Sequence, residues 1–249
     1  MGSIDATLTA TRRPGQARSR VGARRNAWRG IGSAPLTVTY LLLLTATTGL
    51  LTSSSAQSDQ RLLLTVSTNL HQLAHDPVRV LVASAFWTSG WPELALWAVL
   101  FAAILAPLER GLGWRRTGLV FAAGHVGATL LVAAGLLIAL HVSAVPSSIV
   151  FARDVGASYG FFAVAALAGY LLAPRWRIRY LTVLIGYVAA MAALSHTFTD
   201  FGHLSAVAIG LACLRLVRPR SAARPLSAGI RTRLRRASRP SHLPSARMQ

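Results

Sequence analysis

The sequence contains no lysine and only seven acidic residues, so its 26 basic residues are all arginine and its formal net charge is +19. Charged residues make up 13% of the 249-residue chain, whereas hydrophobic residues make up 53%. Soluble domains carry about 25% charged residues. This composition excludes an ordinary soluble domain and predicts a membrane protein.

Cysteine is also nearly absent. Cys213 is the one cysteine and lies in an apolar stretch, so neither a disulfide framework nor a cysteine metal site can form. His71 and His75 are four residues apart, but no third ligand follows at a suitable interval. We therefore predict no metal and no cofactor, and interpret the two histidines as the polar face of an interfacial helix.

Long apolar runs, in contrast, are abundant. Hydropathy predicts six membrane-spanning helices at about 36–53, 92–108, 117–140, 157–173, 179–195 and 201–217. Several runs are near the lower limit of the roughly 17 to 25 residues that a spanning helix needs. The predicted fold is an all-α bundle of six transmembrane helices. Its transmembrane domain spans 35–217, between basic tails at 1–34 and 218–249.

The arginines set the predicted orientation. If six helices alternate, 23 of the 26 arginines lie on one side of the membrane, and only Arg61, Arg79 and Arg153 lie on the other. Because arginine favours the cytoplasmic side, both termini are predicted to be cytoplasmic in a multi-pass plasma-membrane protein. The first apolar run and the small residues after it also resemble a signal peptide. Cleavage there stays an open alternative.

The remaining segments are more polar. The stretch 61–87 mixes apolar and charged residues, and it predicts short interfacial helices interrupted at Pro77. The two tails lack the apolar content to fold, so they are predicted to be disordered. Their arginines would attract anionic lipid by about 1 kcal/mol each near the membrane surface. Nucleic acid is a less favoured partner, because no aromatic platform accompanies the charge.

Polar groups recur at the outer ends of three predicted helices: Glu93, Asp154 with Ser158, and Asp200 with His203. At 1.5 Å per residue, Ser158 lies about 6 Å below Asp154 and His203 about 4.5 Å below Asp200, so the hydroxyl and the imidazole share a depth. An ionisable group inside a spanning helix costs about 2.5 to 3.5 kcal/mol. A neutral histidine could accept the serine proton and prepare the oxygen to attack a carbonyl.

Small residues accompany both side chains at intervals of four: Gly156 and Gly160 around Ser158, and Gly202, Ala206 and Gly210 beside His203. This small-xxx-small pattern lets membrane helices pack backbone to backbone. We predict that it brings Ser158 within reach of His203. From spacing alone, a purely structural role for these residues in helix packing and capping is the favoured alternative.

The same residues resemble the rhomboid family of intramembrane serine proteases. "LERGLGWRR" resembles the family's LExxLGxxR, "GASYG" stands where GxSG belongs, and "GHLSAVAIG" stands where HxxGxxxG belongs. The resemblance covers about 75–215 and is particularly close to divergent actinobacterial rhomboid-like proteins. It implies a six-helix bundle that cleaves membrane-protein substrates, with Ser158 as nucleophile and His203 as base.

Several positions depart from the family pattern. Tyr159 replaces the glycine after the serine, and its bulk is expected near the oxyanion. The family's HxxxN falls on Glu93 and Trp97, where an acid would repel the oxyanion. Loss of one oxyanion donor costs about 10² to 10³ in rate. Ala206 replaces a glycine of the histidine motif, which is a milder change.

These departures leave two alternatives. In the first, Glu93 or Asp200 orients and charge-stabilises His203, as the acid does in a catalytic triad. In the second, the chain is catalytically inactive and binds the transmembrane helices of partner proteins.

Overall fold

The computed structural model describes residues 34–53 and 55–214, and the regular structure in these ranges is helical throughout. The predicted tails at 1–34 and 218–249 lie outside the described residues, except for Ala34. In chain order the helices are α1 (Pro35–Thr52), α2 (Ala56–Val66), α3 (Leu70–His75), α4 (Pro77–Ala83), α5 (Trp91–Leu112), α6 (Trp114–His141), α7 (Ser158–Ala168), α8 (Pro174–Ser195) and α9 (Phe198–Ala212).

Four helices of the described chain are long and apolar enough to cross a membrane, namely α1, α5, α6 and α8. The predicted fourth and sixth spans form helices too, but α7 reaches only Leu171 with its final 3-10 turn, and α9 has 15 residues. The all-helical architecture is therefore confirmed, whereas six full spans are not. Helix α7 begins within one residue of its predicted start, directly after a loop that is tied to neighbouring segments.

Local sequence explains where several helices begin. Proline occupies the first turn of α1, α4, α5 and α8, where its missing N–H group costs no hydrogen bond. Pro77 thus separates two short helices, as the sequence predicts. Helix α9 begins with a capping box, in which the Thr197 and Asp200 side chains bond each other's backbone N–H groups.

A buried carboxylate joins α1 to α5. Glu109 is only 2% exposed, and its two oxygens accept hydrogen bonds from the backbone N–H groups of Leu36 and Thr37, at 2.7 and 2.9 Å, and from the Thr37 hydroxyl. These N–H groups belong to the first turn of a helix and have no partner within it. Glu109 therefore satisfies the start of α1 and also compensates the positive end of its dipole.

Helices α6, α7 and α9 pack without room for larger side chains. A Cβ added at Gly210 of α9 would collide with the Ala163 backbone of α7, and one added at Gly124 of α6 would collide with the Ala163 Cβ. Gly160, in contrast, packs against the Phe121 ring of α6 rather than against α9. Small residues thus permit close packing, as predicted, but Gly160 serves a different neighbour from the one expected.

Helix α5 contains a π-helical turn over Phe101–Leu105. Pro107 follows this turn and has no N–H group to donate, so the regular bonding pattern cannot continue through it. Phe101 is fully buried, and its ring lies 5.6 Å from Trp97 and 5.8 Å from Phe161 of α7. This aromatic cluster places α5 against the first turns of α7, where Ser158 lies.

Candidate functional site

Ser158 is the first residue of α7, and the loop before it is tied down by backbone hydrogen bonds. The Gly156 N–H group donates to the Ser84 carbonyl at 2.8 Å, and the Asp154 N–H group donates to the Ser67 hydroxyl at 2.7 Å. Gly156 has a φ of 125°, a conformation that side chains with a Cβ rarely adopt. The sequence before Ser158 therefore builds a fixed turn that presents the serine at the start of a helix.

His203 lies in the second turn of α9 between two aromatic rings of α7. The centroid of its imidazole is 4.6 Å from that of Phe162 and 5.5 Å from that of Tyr159, with the Tyr159 ring edge-on. The Nε2 atom is buried and has no hydrogen-bond partner among the described residues. A buried imidazole nitrogen without a partner is costly, so this one is available to a group that enters the site.

Ser158 and His203 line the same cavity, which has a volume of about 540 Å³. The other walls are apolar or aromatic and come from α5, α7 and α8: Leu96, Trp97, Leu100, Ile104, Phe161, Phe162, Ala165, Tyr180, Val183, Leu184, Tyr187, Val188 and Met191. No hydrogen bond joins the two side chains within the described part of the chain. The structure thus brings the predicted pair to one apolar chamber without direct contact.

A model of the family described as "Rhomboid-like protein" matches residues 29–223 of this chain. The match covers most of the sequence, including every helix described above. The chain belongs to the rhomboid-like family. Neither a search of curated proteins nor a search of solved structures found a match.

In this rhomboid-like chain, the Tyr159 side chain contacts a neighbouring helix. Its side chain is 2% exposed and packs between α7 and α9 against Gly202. Its hydroxyl donates a 3.2 Å hydrogen bond to the Asp154 carboxylate. The ring therefore occupies a slot left by Gly202, and Tyr159 is not among the residues that line the cavity. The expectation that its bulk lies near the oxyanion stays a prediction.

Glu93 and Trp97 hold each other at the start of α5. The Trp97 Nε1–H group donates to Glu93 Oε1 at 3.0 Å, and the Ser89 N–H group donates to Glu93 Oε2 at 2.6 Å. A Cβ added at Gly156 would lie 3.8 Å from Glu93 Oε1, so the carboxylate borders the turn that precedes Ser158. Trp97 lines the cavity itself.

Asp200 is buried and faces the start of its own helix. Its Oδ2 atom accepts hydrogen bonds from the Thr197 N–H group at 3.0 Å and from the Thr197 hydroxyl at 2.6 Å. Within the chain that the structure describes, these contacts make Asp200 part of the capping box of α9. Its role as an orienting acid for His203 stays a prediction.

Sequence reasoning missed a second serine–histidine pair. Ser84 is fully buried, and its hydroxyl lies 3.1 Å from Nε2 of His125, which is 4% exposed. Ser84 also accepts the Gly156 N–H bond through its carbonyl, so the pair supports the turn before Ser158. Ser84 and His125 are 41 positions apart in the chain, and no local spacing signal could have revealed their contact.

The sequence predicts Asp154 near Ser158, but the hydrogen-bond partners of its carboxyl could not be predicted. It accepts hydrogen bonds from the hydroxyls of Tyr159 and Thr68, at 3.2 and 3.3 Å. Its partly buried setting raises the pKa of Asp154 to about 6, and these two hydrogen bonds oppose the rise. Asp154 is therefore a titratable group in the loop that presents the serine.

The two histidines of α3 lie side by side. Their ring centroids are 4.4 Å apart, and His75 Nδ1 lies 2.7 Å from the His71 carbonyl oxygen. Across residues 34–53 and 55–214, no group of three or more potential metal ligands comes together. Their ring packing and local hydrogen bond account for the His71 and His75 spacing.

Proposed function

We propose that this rhomboid-like protein is a serine endopeptidase that cleaves membrane-protein substrates with a Ser158/His203 dyad. The observation that carries the proposal is that these two side chains, 45 positions apart, line a single apolar cavity. One of them contributes a buried imidazole nitrogen without a partner. An ionisable group kept at that cost within a membrane helix favours a functional role.

The proposed chemistry follows from the residues of the cavity. The His203 imidazole accepts the proton of the Ser158 hydroxyl as the serine oxygen bonds to the substrate carbonyl carbon. The resulting imidazolium returns the proton to the departing amine when the peptide C–N bond breaks. Water then hydrolyses the acyl-enzyme ester by the same route in reverse, which restores both side chains.

The start of α7 supplies the donors for the oxyanion. The backbone N–H groups of the first turn of a helix lack intrahelical partners and form the positive end of its dipole. Ser158 opens this turn, so N–H groups beside its own hydroxyl can stabilise negative charge on the substrate oxygen. These backbone donors would replace the His and Asn side chains of the family's HxxxN motif, whose positions Glu93 and Trp97 occupy in this chain.

The walls of the cavity fit a membrane-embedded substrate. They are contributed largely by aliphatic and aromatic side chains, and α8 keeps most of its residues exposed. An extended or partly unwound segment of a transmembrane helix could therefore reach Ser158 with its apolar side chains still shielded from water. Water for hydrolysis would enter from the outer side, where the loop holding Asp154 lies.

The direct test is cleavage of a panel of single-span membrane proteins by the purified full-length protein in proteoliposomes. We expect cleavage products with wild type and none with Ser158→Ala or His203→Ala. Cleavage that continues unchanged in Ser158→Ala would rule out the proposed nucleophile.

A catalytically inactive protein that binds the transmembrane helices of partners is the second candidate. The position of Glu93 favours it, since its carboxylate borders the turn before Ser158, where negative charge would oppose an oxyanion. Stable capture of the substrate panel in proteoliposomes, without products, would support this candidate.

We further propose that the protein is a multi-pass plasma-membrane protein with both termini in the cytoplasm, where the arginine-rich tails contact anionic lipid. The arginine distribution supports this orientation. Protease accessibility of tags at both ends in sealed vesicles tests it.

A further inference from the structure

Tyr159 and Gly202 form a matched pair across the interface of α7 and α9. A Cβ added at Gly202 would collide with the Cε1, Cζ and hydroxyl atoms of the Tyr159 ring. The tyrosine is therefore seated in a slot that only a glycine provides. Tyr159 directly follows Ser158, and Gly202 directly precedes His203. Their contact therefore holds α7 and α9 together at the positions next to the two site residues.

The Tyr159 ring also contacts the imidazole. Its centroid lies 5.5 Å from that of His203 at an interplanar angle of 70°, an edge-on arrangement that aromatic rings favour. Phe162 packs against His203 at 4.6 Å. Two aromatic side chains of α7 thus restrict the rotation of the imidazole, and one of them is anchored by polar contacts.

The anchor is the Tyr159 hydroxyl, which donates to Asp154 Oδ2 at 3.2 Å. Asp154 is in turn held from both sides: the Thr68 N–H group donates to its carbonyl at 3.0 Å, and its own N–H group donates to Ser67 at 2.7 Å. A phenylalanine would fill the slot equally well but would lack this bond. The hydroxyl therefore ties the ring to the loop that presents Ser158.

We propose that Tyr159 is a positioning residue, which holds the His203 imidazole toward the Ser158 cavity through its seat on Gly202 and its hydroxyl bond to Asp154. The catalytic consequence rests on the proposed function, whereas the positioning of His203 does not. In place of the glycine that follows the family serine, this chain uses a large side chain to set the relation between its two site helices.

The test compares Tyr159→Phe and Tyr159→Leu with wild type in the purified full-length protein. Tyr40→Phe is the matched control. Tyr40 is also a buried tyrosine whose hydroxyl donates one hydrogen bond, at 2.5 Å to the Ala85 carbonyl, but its ring packs at steep angles against Phe86, Phe101 and Phe121. The first readout is the rate at which diethyl pyrocarbonate modifies His203, measured by peptide mass spectrometry. The second is the maximal rate of fluorophosphonate labelling at Ser158.

We expect His203 to be modified several-fold faster in Tyr159→Leu and at the wild-type rate in Tyr40→Phe. The maximal labelling rate should fall by up to about 10²-fold in Tyr159→Leu, because small misplacements of catalytic groups have effects of that size. Tyr159→Phe keeps the ring and should lose about two- to tenfold, the equivalent of one hydrogen bond. The probe concentration that gives half-maximal labelling should stay unchanged.

An unchanged modification rate of His203 in folded Tyr159→Leu would overturn the proposal. If Tyr159→Leu does not fold, Tyr159→Phe decides: modification and labelling rates equal to wild type would also overturn it. A wild type that resists the probe, together with His203 modification that follows the Tyr159 variants, would reject the protease activity while supporting the positioning role.

Discussion

Two serine–histidine pairs in the described part of the chain differ in bonding and in access. Ser84 and His125 are joined by a 3.1 Å hydrogen bond and are almost completely buried. Ser158 and His203 lack a direct bond in the described chain, yet both face a cavity of about 540 Å³. A catalytic pair needs access for substrate at both residues. His125 lines a separate cavity of about 290 Å³ whose lining does not include Ser84, whereas Ser158 and His203 line their cavity together.

The comparison shows that a short serine–histidine distance does not by itself identify a dyad. In the first pair the Ser84 hydroxyl is the hydrogen-bond partner of His125 Nε2, so the nitrogen that faces the serine is satisfied, while His125 Nδ1 has no hydrogen-bond partner among the described residues. In the second pair Nε2 of His203 is left without a hydrogen-bond partner among the described residues. Catalytic hydrogen bonds are often long in the free enzyme and tighten when substrate binds.

The largest predicted effect is a difference in substrate cleavage between alanine variants of the two histidines. His203→Ala should lower substrate cleavage by more than about 10³-fold, because it removes the proposed general base. His125→Ala should leave cleavage per folded molecule within a few-fold of wild type. Cleavage in proteoliposomes, normalised to folded protein, measures both. Equal losses in the two variants would erase the functional distinction between the pairs.

Ser84→Ala sharpens the comparison in terms of stability. It leaves Nε2 of His125 buried without its partner, and such a loss costs about 1 to 3 kcal/mol. Thermal unfolding in detergent should therefore show a lower midpoint for Ser84→Ala, and a midpoint near wild type for Ser158→Ala. A Ser158→Ala variant that is destabilised more than Ser84→Ala would indicate that Ser158 is the structural serine.

Glu93→Gln tests the one carboxylate that borders the turn before Ser158. The amide oxygen can accept only one of the two hydrogen bonds that Glu93 receives, from the Ser89 N–H and Trp97 Nε1–H groups, but the substitution removes the charge that would oppose an oxyanion. We expect cleavage to rise by about tenfold, the effect of removing roughly 1.4 kcal/mol of electrostatic repulsion. Initial cleavage rates show whether Glu93→Gln raises or lowers the activity. A clear decrease would favour the alternative in which Glu93 orients His203.

The smallest predicted effect concerns Asp154, whose loop both pairs adjoin. Its pKa of about 6 in the folded state exceeds the ordinary value of 3.8, so between these values the folded protein binds more protons than the unfolded chain. The free energy of unfolding should therefore fall as the pH rises from about 4 to 6. Asp154→Asn should flatten this dependence.

Unfolding midpoints at several pH values measure the effect, and Asp59→Asn, in the first turn of α2, is the control. An unaltered pH dependence in Asp154→Asn would exclude a raised pKa for this carboxyl.

Much of the fold could be predicted from the sequence because apolar runs and helix-starting prolines act locally. Pro35 and Pro92 lie in the first turns of helices that begin within one residue of the predicted starts, and Pro77 separates two short helices. Helix α7 begins at Ser158, one residue after the predicted start at 157. The contacts that hold the loop before it could not be predicted, since their partners Ser67 and Ser84 are more than 70 residues away in the chain.

In the candidate site, too, local sequence motifs could be recognised, whereas contacts between distant residues could not. Motif resemblance named Ser158 and His203, and both lie at one cavity. The packing of Tyr159 against Gly202 could not be predicted, because it depends on the space that a glycine leaves in another helix. The Ser84–His125 pair escaped notice for a similar reason: neither residue belongs to a motif, and only packing of α6 against the turn after α4 brings them together.

The most direct measurement is fluorophosphonate labelling of the full-length protein, with the modified serine identified by peptide mass spectrometry. The account predicts one adduct on Ser158, absent in His203→Ala and retained in His125→Ala. An adduct on Ser84, or labelling of Ser158 that does not depend on His203, would contradict it.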